Sequence, residues 1–161
     1  AQDWARRALA LRIEMGRTGG PLCVFAGGET RVTVTGSGVG GRNTEMALAF
    51  ALEIVGTEGI TFLSAGTDGT DGPTDAAGAL VNGATVGEAS KRGLDAAAYL
   101  KNNDSCTFFE KAGGLFVTGP TGTNVMDLQV LLVGDPVPVD GLDAAQQGEL
   151  LGHGSSGPWV S

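Results

Sequence analysis

Two cysteines and one histidine in 161 residues leave little material for thiolate or imidazole chemistry. Cys23 and Cys106 allow one pairing but neither a disulfide framework nor a zinc-ligand spacing, so both are expected as reduced, buried residues of a cytoplasmic protein. His153 falls in a final stretch of Pro, Gly, Ser and acids, which argues against a His-based triad. Positive charge is also scarce. Ten Lys and Arg against eighteen Asp and Glu leave a net charge of −8, and a nucleic-acid partner or an anionic membrane would need basic patches. Long apolar runs are missing too, the longest being Met46 to Leu52, too short to cross a bilayer. The first fifteen residues mix Asp3, Arg6, Arg7, Arg12 and Glu14 into an amphipathic stretch unlike a secretory signal. The expectation is a soluble globular protein, with 42% apolar residues supplying one core.

Glycine, by contrast, is abundant at 28 residues, which points to tight turns and close backbone approaches rather than long helices. The run from Ser64 to Gly78 concentrates it, and Asp68, Asp71 and Asp75 each follow a threonine there (Thr67, Thr70 and Thr74). The glycines and Pro73 exclude a regular helix or strand, so the three acids sit on a loop after Ile60-Thr61-Phe62-Leu63, which reads as a buried strand. Loops leaving the carboxyl ends of strands commonly carry chemistry in α/β proteins. Like charges 4–6 Å apart repel by roughly a few kcal/mol per pair, a cost that a divalent cation relieves. The spacing does not suit an EF-hand but suits Mg²⁺ held by one or two carboxylates and a substrate phosphate. Any one of these aspartates can equally form an Asx-turn, and Thr74 or Asp75 can cap a following helix.

Elsewhere, Trp4, Ala8, Leu11 and Met15 recur at helical spacing, and Gly19-Gly20-Pro21 detaches that helix from the rest of the chain. Leu22 to Ala26 and Thr30 to Thr35 read as two strands paired in a hairpin. Gly36-Ser37-Gly38-Val39-Gly40-Gly41 then formally matches a dinucleotide fingerprint, but the strand before it alternates and no acid ends the next one. The narrower reading is an anion pocket made by Gly38, Gly40, Gly41, Arg42 and Asn43 at the start of a helix running to Val55. Arg42 can grip phosphate or carboxylate with two parallel hydrogen bonds, or simply pair with Glu29 or Glu45. A short strand at Ala79 to Val81 is followed by helices over 84–92, 95–101 and 106–112, the last capped by Asn102 to Ser105, with Phe108 and Phe109 as core. Leu115 to Thr118 feeds a second glycine loop, Gly119 to Asn124. It lacks a Walker lysine, but Thr121, Thr123 and Asn124 can donate to anionic oxygens, with Asp127 a fourth acid nearby. A last strand covers Leu128 to Val133, and beyond it little fixed structure is expected apart from a turn of helix around 143–151.

Gly27-Gly28-Glu29-Thr30, Gly40 to Glu45, Ser64 to Gly78, Asn103-Asp104-Ser105 and Val117 to Asp127, in that order, resemble the MOFRL domain. This is the C-terminal domain of the class II glycerate kinases, sometimes labelled hydroxypyruvate reductases. The resemblance covers Leu22 to Val133 and implies a two-domain enzyme that moves the γ-phosphate of ATP to D-glycerate, usually giving 2-phosphoglycerate, with Mg²⁺. It implies a site in the cleft against a larger Rossmann-like N-terminal domain, which is expected to be missing here. Carried over by motif, Arg42 with Gly40, Gly41 and Asn43 would hold a substrate or phosphate anion. Thr67, Asp68, Thr70 and Asp71, with Thr121, Gly122, Thr123 and Asn124, would line the cleft, Arg42, Asp68 and Asp71 being the expected catalytic residues; the metal, on the charge argument above, would sit on Asp68, Asp71 and Asp75. The family often has a basic residue before its GGRN stretch, and Ser37-Gly38-Val39 has none. Lys91, Lys101 and Lys111 fall on helices, so a catalytic lysine would come from the other domain and this chain alone would turn over little.

Two rivals stand beside this reading. An NAD(P)-dependent hydroxypyruvate reductase would need a complete nucleotide fold and a proton donor, and a non-catalytic ligand-binding module would leave a parent enzyme's rate intact without Arg42 or Asp71. The expected organisation is a helix and linker over 1–21, an α/β domain over 22–133 and a tail over 134–161. The domain is expected to have a mixed sheet of about five or six short strands covered by helices.

Overall fold

A computed structural model of the chain describes residues 1–18 and 20–134. The expectations for the tail, His153 included, fall outside the described residues. In chain order the elements are α1 (Gln2–Thr18), β1 (Leu22–Gly28), α2 (Arg42–Glu53), β2 (Ile60–Gly66) and β3 (Gly78–Asn82). They continue as α3 (Thr85–Lys91), α4 (Ala96–Lys101), α5 (Ser105–Ala112), β4 (Leu115–Phe116) and β5 (Asp127–Val133). The strands form one sheet in the order β1-β5-β2-β3-β4. The α/β class and the five strands match the expectation, while every described pairing is antiparallel rather than mixed.

Alternation decides which face of this sheet is covered. Along β5, Asp127, Gln129, Leu131 and Val133 are buried while the residues between them are less so, and a strand's side chains point to opposite faces in turn. Leu131 lies opposite both Val24 and Phe62, and Phe62 opposite Val81, so these apolar side chains share the covered face. Phe50 of α2 stacks on Phe62 with ring centroids 4.2 Å apart. Burying each such ring stabilises the fold by about 1.5–3 kcal/mol.

The helix α1, expected as detached, packs into the same core through buried Ala5 and Ala8, and Trp4 meets Phe62 at 5.6 Å. Small residues on that face let the helix approach closely. On the other side of α2, Phe108 and Phe109 are buried core, as expected, and meet edge to face. The opposite face of the sheet is more open, with Phe25 66% exposed. No described helix is long and apolar enough to cross a membrane.

Two local expectations give way. Residues 30–35 do not form a hairpin strand, although β1 stands at the edge of the sheet and pairs on one side only, with β5 from Leu22↔Val133 to Gly28↔Asp127. They run instead to Asn103, whose Oδ1 accepts from the N–H groups of Thr35 and Gly36, both at 2.8 Å. Cys106 is buried, but Cys23 is exposed on β1, and both are free thiols.

Register then gathers the loops. Gly28, Asp127 and Gly66 lie side by side, and Gly78 pairs with Phe116 one strand further on. With alternate strands running in opposite directions, the loops 29–41, 67–77 and 117–126 all leave the same end of the sheet.

Candidate functional site

The first turn of α2 is the centre of this end. A helix N-terminus presents unpaired N–H groups and partial positive charge, and here the anion that meets them comes from the protein itself. Asp71, 1% exposed, accepts from the backbone N–H groups of Asn43 and Thr44, both at 2.8 Å. It also accepts from Asn43 Nδ2 at 3.3 Å and from the Thr44 hydroxyl at 2.9 Å. Such close approach needs the glycine before the helix: a Cβ built on Gly41 would lie 2.4 Å from Asp71 Cγ. The Thr44 hydroxyl also accepts from the N–H of Gly41 and from the Ser105 hydroxyl, and Ser64 donates to Asn43 Oδ1 at 2.7 Å. Asn43 and Asp71, both expected at the ligand, are therefore buried supports.

Arg42, the first residue of the helix, turns outward. Its Nε donates to Asp127 Oδ2 at 2.6 Å and its Nη2 to Asp127 Oδ1 at 2.8 Å, while Nη1 lies 3.6 Å from Glu29 Oε1. The arginine side chain stays 35% exposed and that of Asp127 is fully enclosed. Hydrogen bonding to Asp127 raises the guanidinium above its ordinary value. Burial pushes the Asp127 carboxyl up, but hydrogen bonds from Arg42 and Asn43 and the charge of Arg42 outweigh it and hold the carboxyl low. Glu29, one of two simple partners foreseen for Arg42, is the secondary one. Glu45 instead accepts from Asn103 Nδ2 at 2.6 Å, and its carboxyl is raised by burial, against that hydrogen bond and with the nearby charge of Asp71.

The N–H groups of residues 35–39, in the glycine stretch before α2, are taken by the protein itself, which narrows the expected anion pocket and agrees with setting the dinucleotide fingerprint aside. Besides Thr35 and Gly36 on Asn103, Ser37 donates to Asn102 Oδ1, Gly38 to the Asn102 carbonyl and Val39 to Asp104 Oδ1. The turn Asn102-Asn103-Asp104 thus binds this loop as a phosphate would. Gly40 lies against Ser105, where a Cβ would come within 2.4 Å of Oγ.

The acidic loop and the threonine loop close on each other beside this centre. Asp68 Oδ1 accepts from the Thr70 N–H and hydroxyl, both at 3.1 Å, and Oδ2 accepts from Asn124 Nδ2 at 3.1 Å. Thr67 donates to the Met126 carbonyl at 2.7 Å and accepts from the Val125 N–H at 2.8 Å, and the Thr121 hydroxyl donates to the Thr67 carbonyl. Gly69, at φ +91°, lets the loops touch: a Cβ there would lie 2.0 Å from the Gly119 carbonyl oxygen. Thr70, Thr121, Gly122, Thr123 and Asn124 remain exposed and Asp68 partly so.

The three aspartates do not assemble into a metal centre. Asp71 is spent on α2, Asp75 is exposed, and no group of three or more His, Cys, Asp or Glu among the described residues is placed to hold an ion. Asp127, Ser64, Asn103 and Ser105 support the site in ways that sequence reasoning missed. The signal available was a serine within the apolar run of β2 and an acid at the head of a buried strand.

These features define an α/β domain that gathers its loops at one sheet end around a clamped, outward-facing arginine. The chain belongs to the MOFRL family, whose model matches residues 22–127. It is 54% identical over 113 residues to a D-glycerate 2-kinase of Thermotoga maritima, covering 70% of this chain and 27% of that enzyme. It is 49% identical over 121 residues to the human glycerate kinase, covering 71% of this chain and 23% of that enzyme. A crystal structure of the Thermotoga maritima glycerate kinase superposes with a TM-score of 0.71 at 48% identity, over 80% of this chain and 33% of that one. The chain thus spans a third or less of the length of these relatives.

Proposed function

We propose that this chain supplies one wall of a glycerate kinase cleft in which the γ-phosphate of ATP passes to D-glycerate, giving 2-phosphoglycerate. The observation that carries this reading is Arg42, clamped from behind by a buried carboxylate yet 35% exposed, at the same sheet end as the loops of Asp68 and Thr121. Phosphoryl transfer needs little covalent chemistry from the protein. It needs reactants held in line and the charge on the transferred group neutralised. Arg42 provides a fixed fork for a phosphate or carboxylate, and Thr123 with the second Nδ2 hydrogen of Asn124 would provide neutral donors on a glycine-shaped rim, the hydroxyls of Thr70 and Thr121 being engaged within the loops.

Mg²⁺ would arrive with the nucleotide phosphates and needs only one or two protein carboxylates. The trio of aspartates does not fit such an ion; Asp68, partly exposed between the two loops and with one hydrogen bond on Oδ2, is the carboxylate that would meet it. Lys91, Lys101 and Lys111 lie on α3, α4 and α5, so in this reading a catalytic lysine would come from the other domain.

The test is Arg42→Ala in a full-length enzyme carrying this domain, assayed for ATP-dependent phosphorylation of D-glycerate. A loss of about 10²–10³ in kcat is expected, on the scale of removing one transition-state donor. An unchanged rate in the folded variant would identify a non-catalytic module instead.

A further inference from the structure

A guanidinium offers its five N–H donors along paired edges, one pairing Nε with an Nη and one pairing the two Nη atoms. In Arg42 the first edge is taken. Asp127 receives Nε and Nη2 at 2.6 and 2.8 Å, and the same carboxylate accepts from Asn43 Nδ2 at 3.1 Å and from the Thr30 N–H at 3.4 Å. With its side chain fully enclosed, Asp127 can neither rotate nor reach a ligand. The end-on edge of Arg42 has a different neighbour. Glu29 Oε1 lies 3.6 Å from Nη1, beyond hydrogen-bond length, on a side chain 61% exposed. Such a loose, solvated pair contributes little and yields readily to a better acceptor.

We propose that Asp127 is a positioning residue that selects which edge of Arg42 faces the cleft, and that Glu29 is the replaceable occupant of that edge. An incoming phosphate or carboxylate displaces Glu29 and takes both Nη donors, while Asp127 keeps the plane of the fork fixed. Glu29 thereby sets how strongly the anion must bind to enter. This rests on the reading of Arg42 as the anion holder.

The experiment is steady-state kinetics of the full-length enzyme carrying this domain, with Arg42→Ala, Asp127→Asn, their double variant and Glu29→Gln, each checked for folding by thermal melting. Asp127→Asn is expected to lower kcat by about 10²-fold, the scale of a misplaced catalytic group. It should lower it no further in the Arg42→Ala background, because a residue acting through another has nothing left to position. Glu29→Gln is expected to lower one KM by about two- to fivefold, the range measured for exposed pairs. A change in the KM for glycerate identifies the anion as its carboxylate, and a change in the KM for ATP identifies it as a phosphate. An undiminished rate in folded Asp127→Asn beside a crippled Arg42→Ala overturns the positioning role alone, as does an equal loss in both backgrounds. Unchanged KM values in Glu29→Gln overturn the displacement, and an intact rate in Arg42→Ala overturns the functional reading and this proposal with it.

Discussion

Asp127 shows how much one side chain can settle. Its carboxyl is held below the ordinary value of 3.8 despite burial, because Arg42 and Asn43 donate to it and Arg42 is charged. A folded value below the unfolded one means stability that is present above about pH 4 and lost as the pH falls through the folded value. Glu45 has the opposite sign: burial raises its folded value, so its ionisation weakens the fold as the pH rises through that value. Urea unfolding of the wild-type chain and of Asp127→Asn, taken from about pH 7 down to pH 3, separates the two effects. The wild type is expected to lose an advantage over the variant in acid, and curves that stay parallel would mean the Asp127 carboxyl is not held low in the folded state.

At the scale of elements, the start of α2 is the joint between three loops. An ordinary helix is capped by the residue just before it, but here that residue is Gly41 and the capping carboxylate arrives from the loop after β2. Asp71→Ala would orphan the N–H groups of Asn43 and Thr44 in a buried place, at a cost of about 3–5 kcal/mol. Asp71→Asn keeps the shape and is expected to cost about half of that. Denaturant midpoints of the two variants check this, and a wild-type midpoint for Asp71→Ala would return Asp71 to a role at the ligand. Residues 30–35 show a related competition. Their alternation reads as a strand, yet the free edge of β1 is not used and the side chain of Asn103, itself at φ 53°, receives the chain instead.

For the whole molecule, the question is what one domain can do unaided. This sheet end carries the clamped Arg42 at the start of α2, the partly exposed Asp68 and a rim of hydroxyls, which is part of what phosphoryl transfer uses. The chain by itself is expected to show negligible ATP-dependent phosphorylation of glycerate, measured by coupled assay at micromolar protein. Turnover at ordinary enzyme rates of about 1–100 s⁻¹ would contradict a division of labour between two domains.

The order of the elements, the buried strand Ile60 to Leu63, the Asp95 cap of α4 and the glycine loops were legible in the amino-acid sequence, since each rests on residues a few positions apart. So was the family, carried by those same short motifs. Only the tertiary structure decided the fate of the charges. Asp71 meets α2 across 28 positions and Asp127 meets Arg42 across 85, and no local periodicity encodes such pairs. A loop aspartate looks the same whether it faces a ligand or a buried helix end, until antiparallel register brings the other element to it.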